Sequence, residues 1–245
     1  MSLLKNLTTD AAIAGERDSV GSSGPLESGV YPSVIKTAYL QKSAGGATGL
    51  VLNLKTDGGR EVRQTLWMTS GTAKGGNNFY VDKDGQKQYL PGFNLANSLA
   101  LLAAGKEISE CDSETKVVNV YSPEAKAEVP TKVEMVMDLL NKEIIVGLIK
   151  QVVDKTQKND ANVYVPTGET REENEIDKFF RAKDRMTTTE IRAEATEPAF
   201  YDTWDAKWTG KTRNKAKGAA AGGAGAPGTP AKATAKKPTS SLFAA

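Results

Sequence analysis

The sequence predicts a mostly β domain carrying extra hairpins and two short helices, followed by a disordered C-terminal tail. Three observations carry this. Apolar residues alternate with period two over 50–68, with Leu50, Leu52 and Leu54 on one face of one strand and Val62, Leu66 and Met68 on one face of the next. Turn signals of hairpin type, Asp57-Gly58-Gly59 and the DKDG of 82–85, separate β-rich runs. Helical spacing is confined to two short stretches, and residues 211–245 are mostly Ala, Gly, Pro, Thr and Lys with almost nothing to bury.

Residues 1–28 read as a flexible N-terminal arm, becoming Gly/Ser-rich at VGSSGPLESG. The run VYPSVIKTAYL reads as a strand, with Pro32 marking an edge or a strand entry. SAGGATG is a turn, LVLNLKT the next strand, and DGG the hairpin into EVRQTLWMT. There Arg63, Thr65 and Trp67 fall on the face opposite the aliphatic residues. NFYVDKDGQKQYL predicts a second hairpin about DKDG. In PGFNLANSLALLAAGKEI, Leu95, Leu99 and Leu102 are spaced by four and three, and Gly105 sits where a helix ends, which predicts the first helix.

KVVNVY is a strand. VEMVMDLL and EIIVGLIKQVVDKT, apolar and β-branched around Asn141-Lys142, predict a long hairpin, with a helix as the alternative. Residues 157–175 read as polar and irregular, and NEIDKFF as short. TTTE at 187–190 fits a capping box. A short helix follows Thr196, with Pro198 at its first position, Phe200, Trp204 and Trp208 four apart, and Gly210 at its end. The expected organisation is thus an arm over 1–28, one domain over 29–210 and a basic tail over 211–245.

The chain of 245 residues has a formal net charge of +2, no His and one Cys. The absence of His removes a histidine base, and one Cys makes neither a zinc site nor an internal disulfide, which fits a cytosolic protein. Cys111 lies among acids in ECDSE and reads as an ordinary reduced thiol. No stretch approaches the ~20 apolar residues of a membrane helix. The charge is unevenly spread: residues 111–210 are acidic, whereas 211–245 carry seven bases and no acid. That asymmetry points to a polyanionic partner.

Candidate catalytic and cofactor motifs fail on inspection. DKDG begins like a calcium loop, but the twelfth position from Asp82 is Phe93 rather than a bidentate Glu. GKT at 210–212 lacks the earlier Gly of a phosphate loop, Asp205 standing there instead. Glu172-Glu173 has no apolar surroundings to raise a carboxyl pKa. No enzyme and no cofactor are expected.

Residues 60–93 stand apart. They hold five rings (Trp67, Phe79, Tyr80, Tyr89, Phe93) and five bases (Arg60, Arg63, Lys74, Lys83, Lys87) against three acids. Rings interleaved with bases on strands and Gly/Asn-rich loops suit single-stranded nucleic acid, where bases stack on rings at roughly 1–3 kcal/mol each and cations track the phosphates. Duplex reading would instead want a basic helix for the groove. The candidate DNA-binding residues are Arg63, Trp67, Lys74, Phe79, Tyr80, Lys83 and Lys87, with Tyr39 from the first strand; Phe93, beside the helix, reads as core.

The run YPSVIKTAYLQKSAGGATGLVLNLKTDGG, continuing through EVRQTLWMTSGTAKGGNNFY to YLPGFNLANSLALL, resembles the single-stranded DNA-binding proteins of tailed bacteriophages. NEIDKFFRAKDRMTTTEIRAEATEPAFYDTWDAKWTGKTRNKAK is similar to their closing region. The resemblance implies an OB-like five-stranded barrel with added strands, coating single strands in phage replication and recombination in the cytoplasm of the infected host. It also implies partners among the phage replication or recombination proteins. Such proteins commonly end in an acidic tail, whereas this tail is basic and reaches SSLFAA. The rival expectation is a virion-associated structural or scaffold protein whose basic tail touches DNA.

Overall fold

The computed structural model describes residues 24–122, 125–160 and 163–217. The order of elements is β1 (Gly29–Lys42), β2 (Thr48–Thr56), β3 (Glu61–Trp67), β4 (Phe79–Val81), β5 (Lys87–Tyr89), α1 (Pro91–Ala104), β6 (Ser113–Ser122), β7 (Ala127–Val136), β8 (Glu143–Lys158), β9 (Tyr164–Arg181), α2 (Thr188–Arg192), α3 (Ala199–Trp208) and β10 (Thr212–Asn214). The fold is mostly β, as expected, with three short helices rather than two. The extra one, α2, is what the capping box at Thr187 opens. Contacts divide the chain into one unit of Met1–Val152 with Glu172–Asn214 and a second of Val153–Arg171 with Lys215–Ala245.

Eight strands form the main sheet, in the order β10-β8-β1-β2-β3, with β7 also on β1, β6 on β7 and β9 on β8. It is antiparallel except where β10 runs parallel to Lys150–Val152. β4 and β5 form a separate two-stranded hairpin. The sheet is not closed: among the described residues no ladder joins β3 to β9. A side chain bridges them instead: Gln64 Oε1 of β3 accepts the Ile176 N–H of β9 at 2.7 Å. The Asn174 amide of β9 exchanges two hydrogen bonds with the Leu26 backbone ahead of β1, at 2.8 and 2.7 Å.

The alternation read from the sequence builds the core. Leu50, Leu52 and Leu54 of β2 and Val62 and Leu66 of β3 face inward against Leu99 and Leu102 of α1. At roughly 1.5–3 kcal/mol for each fully buried aliphatic side chain, this layer is a main source of stability. α1 starts hard against β3, because a Cβ on Gly92 would lie 2.1 Å from the Trp67 carbonyl oxygen. Only glycine lets the helix backbone approach so closely. The helix ends at Gly105 in the left-handed conformation, φ 73°.

A bulge in β1 between Ile35 and Thr37 resets the alternation. Ile35 and Ala38 therefore face the main core, while Tyr39 faces the other side. Pro32 lies within β1 opposite Ile145, just before the β2 ladder begins at Ser33, so it marks entry into that ladder and not an outer edge.

The long hairpin expected around Asn141 is not what forms. The two segments are strands, β7 and β8, but each pairs with β1 (Tyr39 with Met135, Ser33 with Ile144) and they follow one another along its edge. β8 is apolar on consecutive residues because both faces are covered: Ile144, Val146 and Leu148 face the main core, and Ile145 and Ile149 face Phe180 and Trp204. Residues 164–175, expected to be irregular, belong to β9. Their hydrogen bonds come from pairing with β8, and mostly exposed polar side chains leave no apolar period to read.

The expected tail region begins in structure. β10 is fixed by Arg213, whose guanidinium bonds Glu175 (2.5 Å), Gln151 (3.0 Å) and Asp177 (3.5 Å) and lies 5.6 Å from the Trp208 ring. The end of the expected flexible arm is likewise held: Leu26 bonds Asn174, and buried Ser28 bonds the Lys150 N–H and the Lys211 carbonyl. The rest of the expected arm, before residue 24, and the rest of the expected disordered tail, beyond residue 217, lie outside the described residues. No helix among the described residues is long and apolar enough to cross a membrane.

Candidate nucleic-acid interface

β3 presents Arg63, Thr65 and Trp67 on the face away from the main core, as its alternation requires. At about 3.3 Å per residue the three span about 13 Å along the strand. Trp67 is 41% exposed. Its ladder partner is Gly49, and a Cβ there would come within 2.8 Å of the indole ring. The indole thus lies over bare backbone at Gly49 and is partly open to solvent.

Beyond Trp67 the chain turns through two loops that hold each other. Thr72 N–H and Thr72 Oγ1 both donate to the Gly45 carbonyl, at 2.8 and 3.0 Å, and Thr48 N–H donates to Thr69 Oγ1 at 2.8 Å. This fixes the loop carrying exposed Lys74 against the β1–β2 turn. The β4–β5 hairpin follows. Its turn is organised by Asp82, whose Oδ1 accepts the N–H groups of Asp84 (3.0 Å) and Gln86 (2.9 Å), with Gly85 at φ 78°. The Gln86 N–H bond is the largest cause of a carboxyl pKa held below the usual range, against a smaller upward push from burial. That carboxylate is engaged by its own turn, in keeping with the reading of DKDG as a turn.

Tyr80 is 48% exposed on this hairpin, and Lys83 and Lys87 are exposed with it. Lys87 Nζ sits 4.7 Å from the Phe79 ring centroid, so one face of that half-buried ring already has a cation over it. Tyr89, absent from the candidate set, is the most exposed ring of 60–93 at 56%. It stacks on Phe93 with centroids 4.9 Å apart, and Phe93 in turn packs against the main core, as expected. The sequence signal for Tyr89 was its place opposite Phe79 in the hairpin, a pairing that puts both on one face.

Tyr39 does not belong among stacking residues. It is 5% exposed, enclosed by Val51, Val133 and Met135 with Val118 and Val120 of β6 beside them. A base has no access to its ring. Its hydroxyl instead accepts a hydrogen bond from Arg63 Nη2 at 2.9 Å.

The structure therefore joins Arg63 with Trp67 on one strand face, and Phe79, Tyr80, Lys83 and Lys87 on one hairpin, with Lys74 on the loop between. No protein-family model matches the chain, and no curated protein matches it.

Proposed function

We propose that this chain is a non-enzymatic single-stranded DNA-binding protein that coats and protects single strands in phage replication and recombination. The observation that carries the reading is the exposed β3 face of Arg63, Thr65 and Trp67, followed by a hairpin with exposed Tyr89 and Lys87 on one face, Tyr80 on the other and Lys83 in its turn. Rings open to solvent give unpaired bases a stacking surface, and the cations beside them offset phosphate charge. A duplex hides its base faces and would gain only the phosphate contacts.

The finer reading of the sheet is an OB-type barrel. It is supported by the β1-β2-β3 meander, by α1 after the third strand, and by β8 returning to the other edge of β1. In this reading the Gln64 bridge stands in for the ladder between β3 and β9, and the bound strand lies along the outward face of β3, on the side of the sheet where OB folds bind oligonucleotides.

The test is a comparison of affinity for an oligo-dT and for a duplex of equal length at matched salt, followed by anisotropy. Tighter binding to oligo-dT, with quenching of tryptophan emission, is expected. Equal or tighter binding to the duplex overturns the reading.

A further inference from the structure

Arg63 and Tyr39 lie on strands that are not neighbours: β2 runs between β3 and β1. With strands about 4.8 Å apart, the two backbones are roughly 10 Å apart, and the Arg63 and Tyr39 side chains meet above β2 to span that gap together. Tyr39 pairs with Val51, and Arg63 pairs with Asn53 two residues along, so the guanidinium is drawn diagonally over β2. Its anchor cannot move, because the Tyr39 ring is buried between Val51, Val133 and Met135.

The chemistry of the anchor matters as much as its position. Two other arginines are held by carboxylates: Arg181 by Asp184 at 2.6 Å and Arg213 by Glu175 at 2.5 Å. Those pairs cancel the positive charge. A tyrosine hydroxyl is not a carboxylate, and it accepts one of the five guanidinium donors. Arg63 is therefore fixed in place with its charge uncompensated by Tyr39 and with donors to spare, and among the described residues it makes no ion pair. That arrangement suits a ligand that brings its own anion, and the planar fork matches a phosphate oxygen pair.

We infer that Tyr39 is a positioning residue that holds Arg63 across the β2 face as a phosphate clamp for the bound strand. This rests on the reading of the protein as a single-strand binder. Pre-fixing a rotamer-rich side chain removes an ordering cost from the binding step, which for one arginine corresponds to about three- to tenfold in affinity.

The experiment is a double-mutant cycle on oligo-dT binding, read by anisotropy, with Tyr39→Phe, Arg63→Ala and the pair. Tyr39→Phe keeps the buried ring and removes only the acceptor, and its melting temperature monitors the fold. Tyr39→Phe is expected to bind about three- to tenfold more weakly, and Arg63→Ala at least as weakly. Adding Tyr39→Phe to Arg63→Ala is expected to change nothing further, because the phenol acts only through the arginine. The inference is overturned if Tyr39→Phe binds like the wild type, or if it weakens the Arg63→Ala protein by the same factor as the wild type. If the wild type does not bind oligo-dT, the functional reading itself falls, and the clamp with it.

Discussion

Trp67 stands on β3 with no side chain beneath it, because its ladder partner is Gly49. The indole covers that glycine backbone and is 41% exposed. Trp67→Ala is accordingly expected to weaken oligo-dT binding by roughly 1–3 kcal/mol. It should lower folding stability by only about 1 kcal/mol, well short of the ~3–5 kcal/mol of a core aromatic truncation. Isothermal titration and thermal melting of one sample separate the two. A core-sized loss of stability with normal binding by the folded fraction would make Trp67 a packing residue. Tyr39 shows the opposite partition of an aromatic side chain. Both residues face away from the main core, yet only Tyr39 is roofed by the β6–β7 strands. Alternation around Trp67 was enough to place it. Nothing near Tyr39 in sequence reveals that a bulge at Ile35/Thr37 turns it outward, or that residues some 80 to 100 positions later cover it.

At the scale of elements, one carboxylate joins two helices. Glu190 accepts the Thr187 N–H at 2.8 Å in the capping box of α2, and its other oxygen accepts the Phe200 N–H of α3 at 2.8 Å. Burial pushes the Glu190 pKa up, but these bonds, the Thr187 hydroxyl and the Lys178 charge outweigh it, and the net shift is downward. A folded pKa below the unfolded value of about 4.3 contributes stability above that pH, and the contribution is lost as pH falls through the folded pKa. Glu190→Gln, which keeps the shape and can still cap, should therefore cost about 1 kcal/mol near pH 7 and progressively less below about pH 4. Urea unfolding at pH 7, 5 and 3.5 reads this directly; a difference independent of pH would mean that the charge is not what ties the helices. The capping box itself was legible in TTTE because its chemistry is local. The β2–β3 hairpin was legible for the same reason, its period and its DGG turn lying within twenty residues. The partner of β7 was not. An apolar β-branched segment announces a strand but not its neighbour, and β7 and β8 both found β1 instead of each other. β9 escaped notice because its polar half, 164–175, gains order from the β8 ladder and not from an apolar face.

For the whole molecule, the distribution of positive charge decides how far binding depends on salt. Residues 211–245 carry seven bases and no acid, but these bases are not equivalent. Arg213 is held by Glu175, Asp177 and Gln151 and fixes β10 to β8, so its charge is spent within the fold. Removing everything after Gly210 would take away β10 and leave Glu175 and Asp177 without their arginine, and loss of one partner of a partly buried pair is costly. Truncation after Lys217 is the cleaner cut. It retains β10 and Arg213, and the only charged side chains it removes are Lys232, Lys236 and Lys237. For single strands the slope of log K against log salt is about −0.7 per neutralised phosphate, so three lysines set an upper bound of about 2 units on the change. The protein ending at Lys217 is expected to keep the melting temperature and tryptophan quenching of the full chain while its salt slope flattens by up to that amount. The protein ending at Gly210 is expected to melt earlier as well. Anisotropy titrations between about 50 and 200 mM salt, beside melting curves of all three proteins, check both statements. An unchanged slope after the Lys217 cut would show that the three lysines do not touch the strand, leaving Arg63, Lys74, Lys83 and Lys87 of the folded region to supply the counterion release.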